Sequence, residues 1–381
     1  KAPLKAFLET SGPEVSASAL QLPFMIFLGF FAVAMVLTGK YIEKYGPRKV
    51  VMVGGVLTGL GWLMASMASS INILTVTYGV IGGVGVGIAY GVPVAMSGRW
   101  FPDKRGLAVG LTVLGFGFSA FFTANIANVL IASSGVMQTF RIFGIAFIII
   151  MVILATPLVF PPAGWKPAGW APPAPKPGAA VKCELKREEM LKSKTFYGLW
   201  LCYFIGCLAG LMAISISADV AGIVGKEAVA AMLLGFSPVG FFAIFNGGGR
   251  PVFGTLTDKL TPKNAAVLSF VLIIIASLLI WKIQTPAIYI LSFAILWGCL
   301  GGWLAIAPTA TASFFGTGDY PRCYGMVFLA YGAGALVGPF LAGYFKDATG
   351  SFINVFPVVV VLAAAGIVIA FLLMKPPVAK E

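Results

Sequence analysis

The run Ala243-Ile244-Phe245-Asn246-Gly247-Gly248-Gly249-Arg250-Pro251-Val252-Phe253-Gly254 sets one guanidinium in a segment that is otherwise apolar from about Ala228 to Thr257. A cation at membrane depth costs about 2.5–3.5 kcal/mol on insertion scales, and arginine keeps its proton at any biological pH. Such a group needs an anion, a water-filled cavity, or both. Its natural partner is a carboxylate, whose two oxygens the planar fork grips together, orienting the rest of the molecule. The neighbours suit a binding cavity. Three glycines thin the helix surface so that backbone or ligand approaches closely. Pro251 has no N–H, so the Gly247 carbonyl loses its helical partner. Asn246 precedes Arg250 by one helical turn and shares its face. The competing reading has Arg250 snorkel to the membrane edge. Asp258 marks that edge, about 12 Å away along a helix at 1.5 Å per residue, which is a long reach.

The surrounding chain is that of a polytopic membrane protein. Of 381 residues, 59% are hydrophobic and 10% charged, with a mean hydropathy of +0.96; soluble domains carry about 25% charged residues. Histidine is absent, which excludes His-based acid–base chemistry and His-ligated metals. Cys183, Cys202, Cys207, Cys299 and Cys323 show no CxxC spacing and read as reduced packing residues. With no Walker sequence and no nucleophile–base pair, neither an enzyme nor a cofactor is expected. The net charge of +13 points to no nucleic-acid partner, because the excess lies in alternate loops, where it sets topology.

Apolar segments occur at about 17–38, 50–68, 73–97, 106–133, 136–160, 196–218, 228–257, 264–282, 287–312, 323–345 and 352–374. Each is long enough to span a bilayer, making eleven, while the first twenty residues read as a loop. Loops holding Lys40/Lys44/Arg48/Lys49, Arg99/Lys104/Arg105, the 161–195 stretch, Lys259/Lys263, Arg322 and Lys375/Lys380 contain 19 of the 26 Lys and Arg. That side is expected to be cytoplasmic, with the termini and central linker, in a multi-pass cell (inner) membrane protein. The loop at Lys1 then falls outside, so one further span is expected before it, for twelve. Residues 161–195 form a linker with seven prolines between Pro161 and Pro177 and a charged stretch, Lys182–Lys194, expected to be a short surface helix. It divides the chain into 1–160 and 196–381, two halves of six helices. Within them, the glycine runs Gly82–Gly87 and Gly332–Gly334 lack the P-loop Lys-Ser/Thr ending and fit close helix packing.

The halves repeat. Gly39-Lys40-Tyr41-Ile42-Glu43-Lys44-Tyr45-Gly46-Pro47-Arg48 matches Gly254-Thr255-Leu256-Thr257-Asp258-Lys259-Leu260-Thr261-Pro262-Lys263. The acid at the helix end and the bases after it are placed to bridge neighbouring helix ends as a cytoplasmic gate built of Glu43, Lys44, Arg48, Asp258 and Lys259. At the depths of Arg250 and Asn246 the first half has Met35 and Phe31. The architecture itself therefore demands no polar group there, and function remains as the reason for one.

This pattern resembles the major facilitator superfamily, an all-α membrane fold whose two halves rock about a central site. Arg99-Trp100-Phe101-Pro102-Asp103-Lys104-Arg105-Gly106-Leu107-Ala108 is similar to a loop shared by monocarboxylate porters and, more closely, oxalate/formate antiporters. Phe245-Asn246-Gly247-Gly248-Gly249-Arg250-Pro251 resembles the antiporters' eighth helix, whose arginine binds the substrate carboxylate, and Phe314-Phe315-Gly316-Thr317 is similar too. Two departures matter. Where the oxalate carrier has a second cation, a lysine, this chain aligns Tyr331; where mammalian-type monocarboxylate porters carry a coupling aspartate, it has Asn246.

One fixed cation neutralises one carboxylate, and a bound dianion would leave a charge unpaired in a low-dielectric cavity. The expected substrate is therefore a short monocarboxylate such as lactate or pyruvate, bound by Arg250 and Asn246. Tyr331 and Tyr90 would hydrogen-bond it, with apolar walls from Leu114, Phe116 and Phe328, unless these side chains serve only helix packing. The expected partners are that anion, a proton and the lipid bilayer, acting on a monomer. Anion exchange is the alternative coupling. A receptor on the same fold is the alternative class, and no appended signalling domain favours it.

Overall fold

The computed structural model describes residues 2–9, 15–101, 105–162, 165–167, 169, 184–316 and 319–377, all helix, turn or coil with no strand among them. A short helix α1 (Ala2–Glu9) occupies part of the stretch expected to be loop. Helices α2 (Ala17–Tyr45), α3 (Pro47–Ala65) and α4 (Ile71–Leu74) follow. The last runs through a π-helical stretch, Thr75–Gly82, into α5 (Gly83–Trp100). Next come α6 (Arg105–Ser134), α7 (Val136–Ala155), the single turn α8 (Arg187–Met190), α9 (Lys194–Met232), α10 (Pro238–Leu260) and α11 (Pro262–Lys282). The chain closes with α12 (Pro286–Phe315), α13 (Tyr320–Thr349) and α14 (Phe356–Leu373).

Local chemistry sets the boundaries. Ser16, Ser193 and Ser237 cap α2, α9 and α10 through side-chain oxygens that accept from backbone amides at 3.1–3.2 Å, satisfying donors that a helix start leaves free. Proline occupies the first turn of α3, α10, α11 and α12, where its missing N–H costs nothing.

One boundary differs from the sequence expectation. The apolar residues from Ala228 belong to α9, which kinks at Gly225 (φ 119°) and continues to Met232. Leu234 and Gly235, both at positive φ, then reverse the chain, so α10 begins at Pro238. Ten of the described helices are long and apolar enough to cross a membrane, one fewer than expected, and α10 is not among them despite its 23 residues. Asn246, Arg250 and its glycines dilute the apolar content. The polar group that identifies the helix is what lowers its hydropathy.

The joint between α2 and α3 reappears between α10 and α11. Gly46 has φ 79° and ψ 162°, Thr261 has φ 79° and ψ 153°, and each precedes a helix-starting proline. That region is essentially reserved for glycine and costs other residues about 1–3 kcal/mol. Thr261→Gly is therefore expected to stabilise the protein by about 1 kcal/mol after the entropy cost of glycine. Its thermal midpoint in detergent should rise by a few degrees; an unchanged or lower midpoint would show that the turn is unstrained.

Two helix pairs join the α2–α7 group to the α9–α14 group: α2 with α13, and α6 with α10. Along the first, a Cβ on Gly332 would lie 2.6 Å from that of Ala32. At the far end, Asp347 accepts from the Ala17 and Ser18 amides at 3.0 and 3.1 Å, a carboxylate at a helix start. Helix α10 is pressed to α12 even more closely, since a Cβ on Gly249 would stand 2.1 Å from the Gly298 carbonyl oxygen. Side chains here would force the helices apart.

The linker is held at both described ends. Trp165 packs on Trp100 at 5.2 Å and donates to its carbonyl at 3.2 Å, while Trp100 donates to the Val159 carbonyl at 2.9 Å. Among the described residues of the charged stretch, Arg187–Met190 forms a single helical turn before α9 begins at Lys194. That turn is docked rather than free-lying: Met190 is fully buried, the Leu185 amide donates to the Phe315 carbonyl, and the Arg187 amide to Asp319. Residues 170–183, including Cys183, lie outside the described set; Cys202, Cys207, Cys299 and Cys323 are free, buried thiols.

Candidate functional site

Arg250 is 2% exposed, and among the described residues it is the one charged side chain in the buried set. Its Nη2 donates to Asn246 Oδ1 at 3.2 Å, across one turn of α10, and its Nη1 donates to the Val113 carbonyl of α6. The guanidinium carbon stands 5.6 Å from the centre of the Phe116 ring, within cation–π range. Its Nε is buried without a partner. No described carboxylate pairs with it, and it does not snorkel.

Around it the structure gathers four rings singled out from sequence, together with one that was not. Phe328 and Tyr331 stack at 5.1 Å, Tyr90 meets Phe116 edge-on at 4.9 Å, and Tyr90 lies 6.2 Å from Phe328. Phe31 sits among them, 5.1 Å from Tyr90, 5.7 Å from Phe328 and 5.9 Å from Tyr331. Sequence comparison of the two halves used Phe31 only as the apolar counterpart of Asn246; its place at the centre of this group had no sequence signal. Tyr331, Phe328 and Phe31 are 4% exposed or less, so the group is closed in this conformation. Phe116 is 38% exposed and, with Tyr90 and Val113, borders a cavity of about 730 Å³ that runs along α6 towards α3 and α7. Apart from Tyr90 and a few hydroxyls, including Thr112, Ser119 and Thr123, that cavity is apolar.

Leu114 turns a different group to α10. Its backbone carbonyl lies 3.6 Å from where a Cβ on Gly247 would stand. Val113 and Gly117, on either side of it in α6, were not singled out from sequence. Every residue has a carbonyl, so Val113 carried no signal; Gly117, in Leu114-Gly115-Phe116-Gly117-Phe118, carried a weak one. Arg141 is exposed in the first turns of α7, the place of a helix-end anchor. Of the charged motif, Lys44, Arg48, Asp258 and Lys259 are exposed, and the Lys44 ammonium lies 5.2 Å from the Tyr45 ring. No ion pair joins these four to one another among the described residues. The side chain of Glu43 lies outside the described set. Such long, solvated side chains gain little from pairing while the helix ends stay apart.

The family description "Major Facilitator Superfamily" matches residues 4–314 and 199–381, and the chain belongs to that superfamily. It is a multi-pass membrane transporter. The oxalate:formate antiporter of Oxalobacter formigenes is 28% identical over 326 residues, covering 85% of this chain and 75% of that protein. Apicoplast pyruvate carrier 1 of Toxoplasma gondii is also 28% identical, over 77% of this chain and 63% of its own length. Human monocarboxylate transporter 14 is 33% identical over a shorter stretch, 35% of this chain and 25% of its own. A bacterial homologue of the human lysosomal transporter Spinster superposes over 99% of this chain and 93% of its own with a TM-score of 0.65 at 14% identity, a likeness of fold alone.

Proposed function

We propose that the protein carries short monocarboxylates of the lactate and pyruvate type by alternating access, in symport with a proton. The observation that carries this reading is the charge count. Arg250 is the one buried charge among the described residues, and Tyr331, stacked in the wall beside it, offers a hydroxyl where the oxalate carrier is expected to hold a cation. One carboxylate would displace the Val113 carbonyl and take the guanidinium fork, with Asn246 keeping its plane. Phe31, Phe116 and Phe328 would cap substrate length, while the Tyr90 and Tyr331 hydroxyls would serve a 2-hydroxyl or 2-oxo group.

The halves 1–160 and 196–381 would rock about the site. Lys44, Arg48, Asp258 and Lys259, with Glu43, would meet when the cytoplasmic end closes. No carboxylate is buried among the described residues, so the proton would travel on the substrate or through residues outside those described.

The test is uptake by purified protein in liposomes, comparing lactate, pyruvate, formate and oxalate with and without an inward proton gradient. Gradient-driven lactate uptake into vesicles lacking internal substrate is expected. Uptake only against preloaded anion would replace symport by the exchange that the antiporter relative performs, and oxalate preferred over lactate would overturn the charge count.

A further inference from the structure

The Val113 carbonyl occupies the place where a substrate oxygen would bind. In α6 its helical partner is the amide one turn on, that of Gly117. A side chain at that position leans back over the turn before it and covers this carbonyl. Gly117 has none, so the oxygen is bare to α10. A carbonyl has two lone pairs, and Val113 can serve Gly117 and Arg250 together. The fit leaves no slack: a Cβ at residue 117 would stand 2.7 Å from Asn246 Oδ1 and 2.9 Å from Arg250 Nε. That Nε is the partnerless nitrogen, so the side of the guanidinium not already hydrogen-bonded faces the glycine.

We propose that the Val113 carbonyl is the built-in occupant of the anion site in the empty carrier, and that Gly117 is the positioning residue that admits it. The proposal rests on reading Arg250 as the carboxylate site, and it deepens that reading. A bare guanidinium would oppose closure of an empty site. A carbonyl dipole relieves that opposition but holds the cation less tightly than a carboxylate does, so substrate displaces it. The empty carrier can then close and return. One-way transport requires that return step, whereas exchange of one substrate for another never uses it.

Gly117→Ala separates the two modes, with Gly115→Ala as control because a Cβ there meets nothing within 4 Å. Zero-trans lactate uptake and lactate–lactate counterflow are measured on the same liposomes. The ratio of net uptake to counterflow is expected to fall about tenfold or more in Gly117→Ala, the range one overpacked methyl produces, and to hold in Gly115→Ala. Parallel losses in both modes, or no change in ratio, would overturn the proposal.

A second arm needs no substrate. A Cβ on Gly247 would lie 3.5 Å from that of Phe118, within the range a disulfide spans. Phe118→Cys with Gly247→Cys should therefore cross-link in the empty protein, and adding Gly117→Ala should cut the yield about fivefold or more. An unchanged yield would sink the inference by itself. If the wild type moved no lactate in either mode, the functional reading would fail while this arm still decided the role of Gly117.

Discussion

Arg250→Lys is expected to lower lactate uptake in liposomes about a hundredfold, which corresponds to about 2.7 kcal/mol. The guanidinium reaches Val113 and Asn246 through separate nitrogens at once. An ammonium is a point charge on a flexible stem and cannot present two parallel donors to one carboxylate. Loss of a partner from a buried charged pair costs about 2–5 kcal/mol, so the expected loss sits at the low end. It should appear in substrate binding as well as in turnover, since the same fork orients the anion. Uptake within about threefold of the wild type would reduce Arg250 to a packing role.

Tyr331→Lys is expected to exchange one substrate class for another. The position is 4% exposed, stacked on Phe328 and edge-on to Phe31. A second cation there would repel the guanidinium unless an anion with two charges lay between them. Lactate uptake should fall about tenfold or more, and oxalate binding, expected to be absent from the wild type, should become measurable. Binding is best followed by displacement of labelled substrate from detergent-solubilised protein. Failure to bind oxalate at millimolar concentration would show that the site does not select by counting charges.

The helices were legible in the sequence because bilayer crossing imposes a length and a composition that few other structures share. Their ends were less so. The apolar run at Ala228 gave no warning that Gly225 kinks α9 and carries it on to Met232, because hydropathy is blind to a bend. Arg250, Asn246, Tyr90, Phe116, Phe328 and Tyr331 come from four helices, and their types advertised them. Phe31 advertised nothing, since a phenylalanine in a membrane helix is ordinary. Val113 acts through its backbone and Gly117 through the absence of a side chain, two contributions that residue identity hides until the facing helix is in place. The charged motif repeated in both halves was plain to read, yet its charges stand unjoined among the described residues. Sequence shows that opposite charges exist, not in which conformation they meet.

The low hydropathy of α10 also bears on how the molecule is made. Chains are synthesised from the N-terminus, and a central arginine counts against retention of a helix in the bilayer by about 2.5–3.5 kcal/mol. When α10 emerges, α6 has already been translated, and with it the Val113 oxygen that accepts from Arg250. The close-fitting glycines of α12 come later. The carbonyl that holds the cation in the finished protein is thus already present when the cation is made, because the order of translation supplies it first.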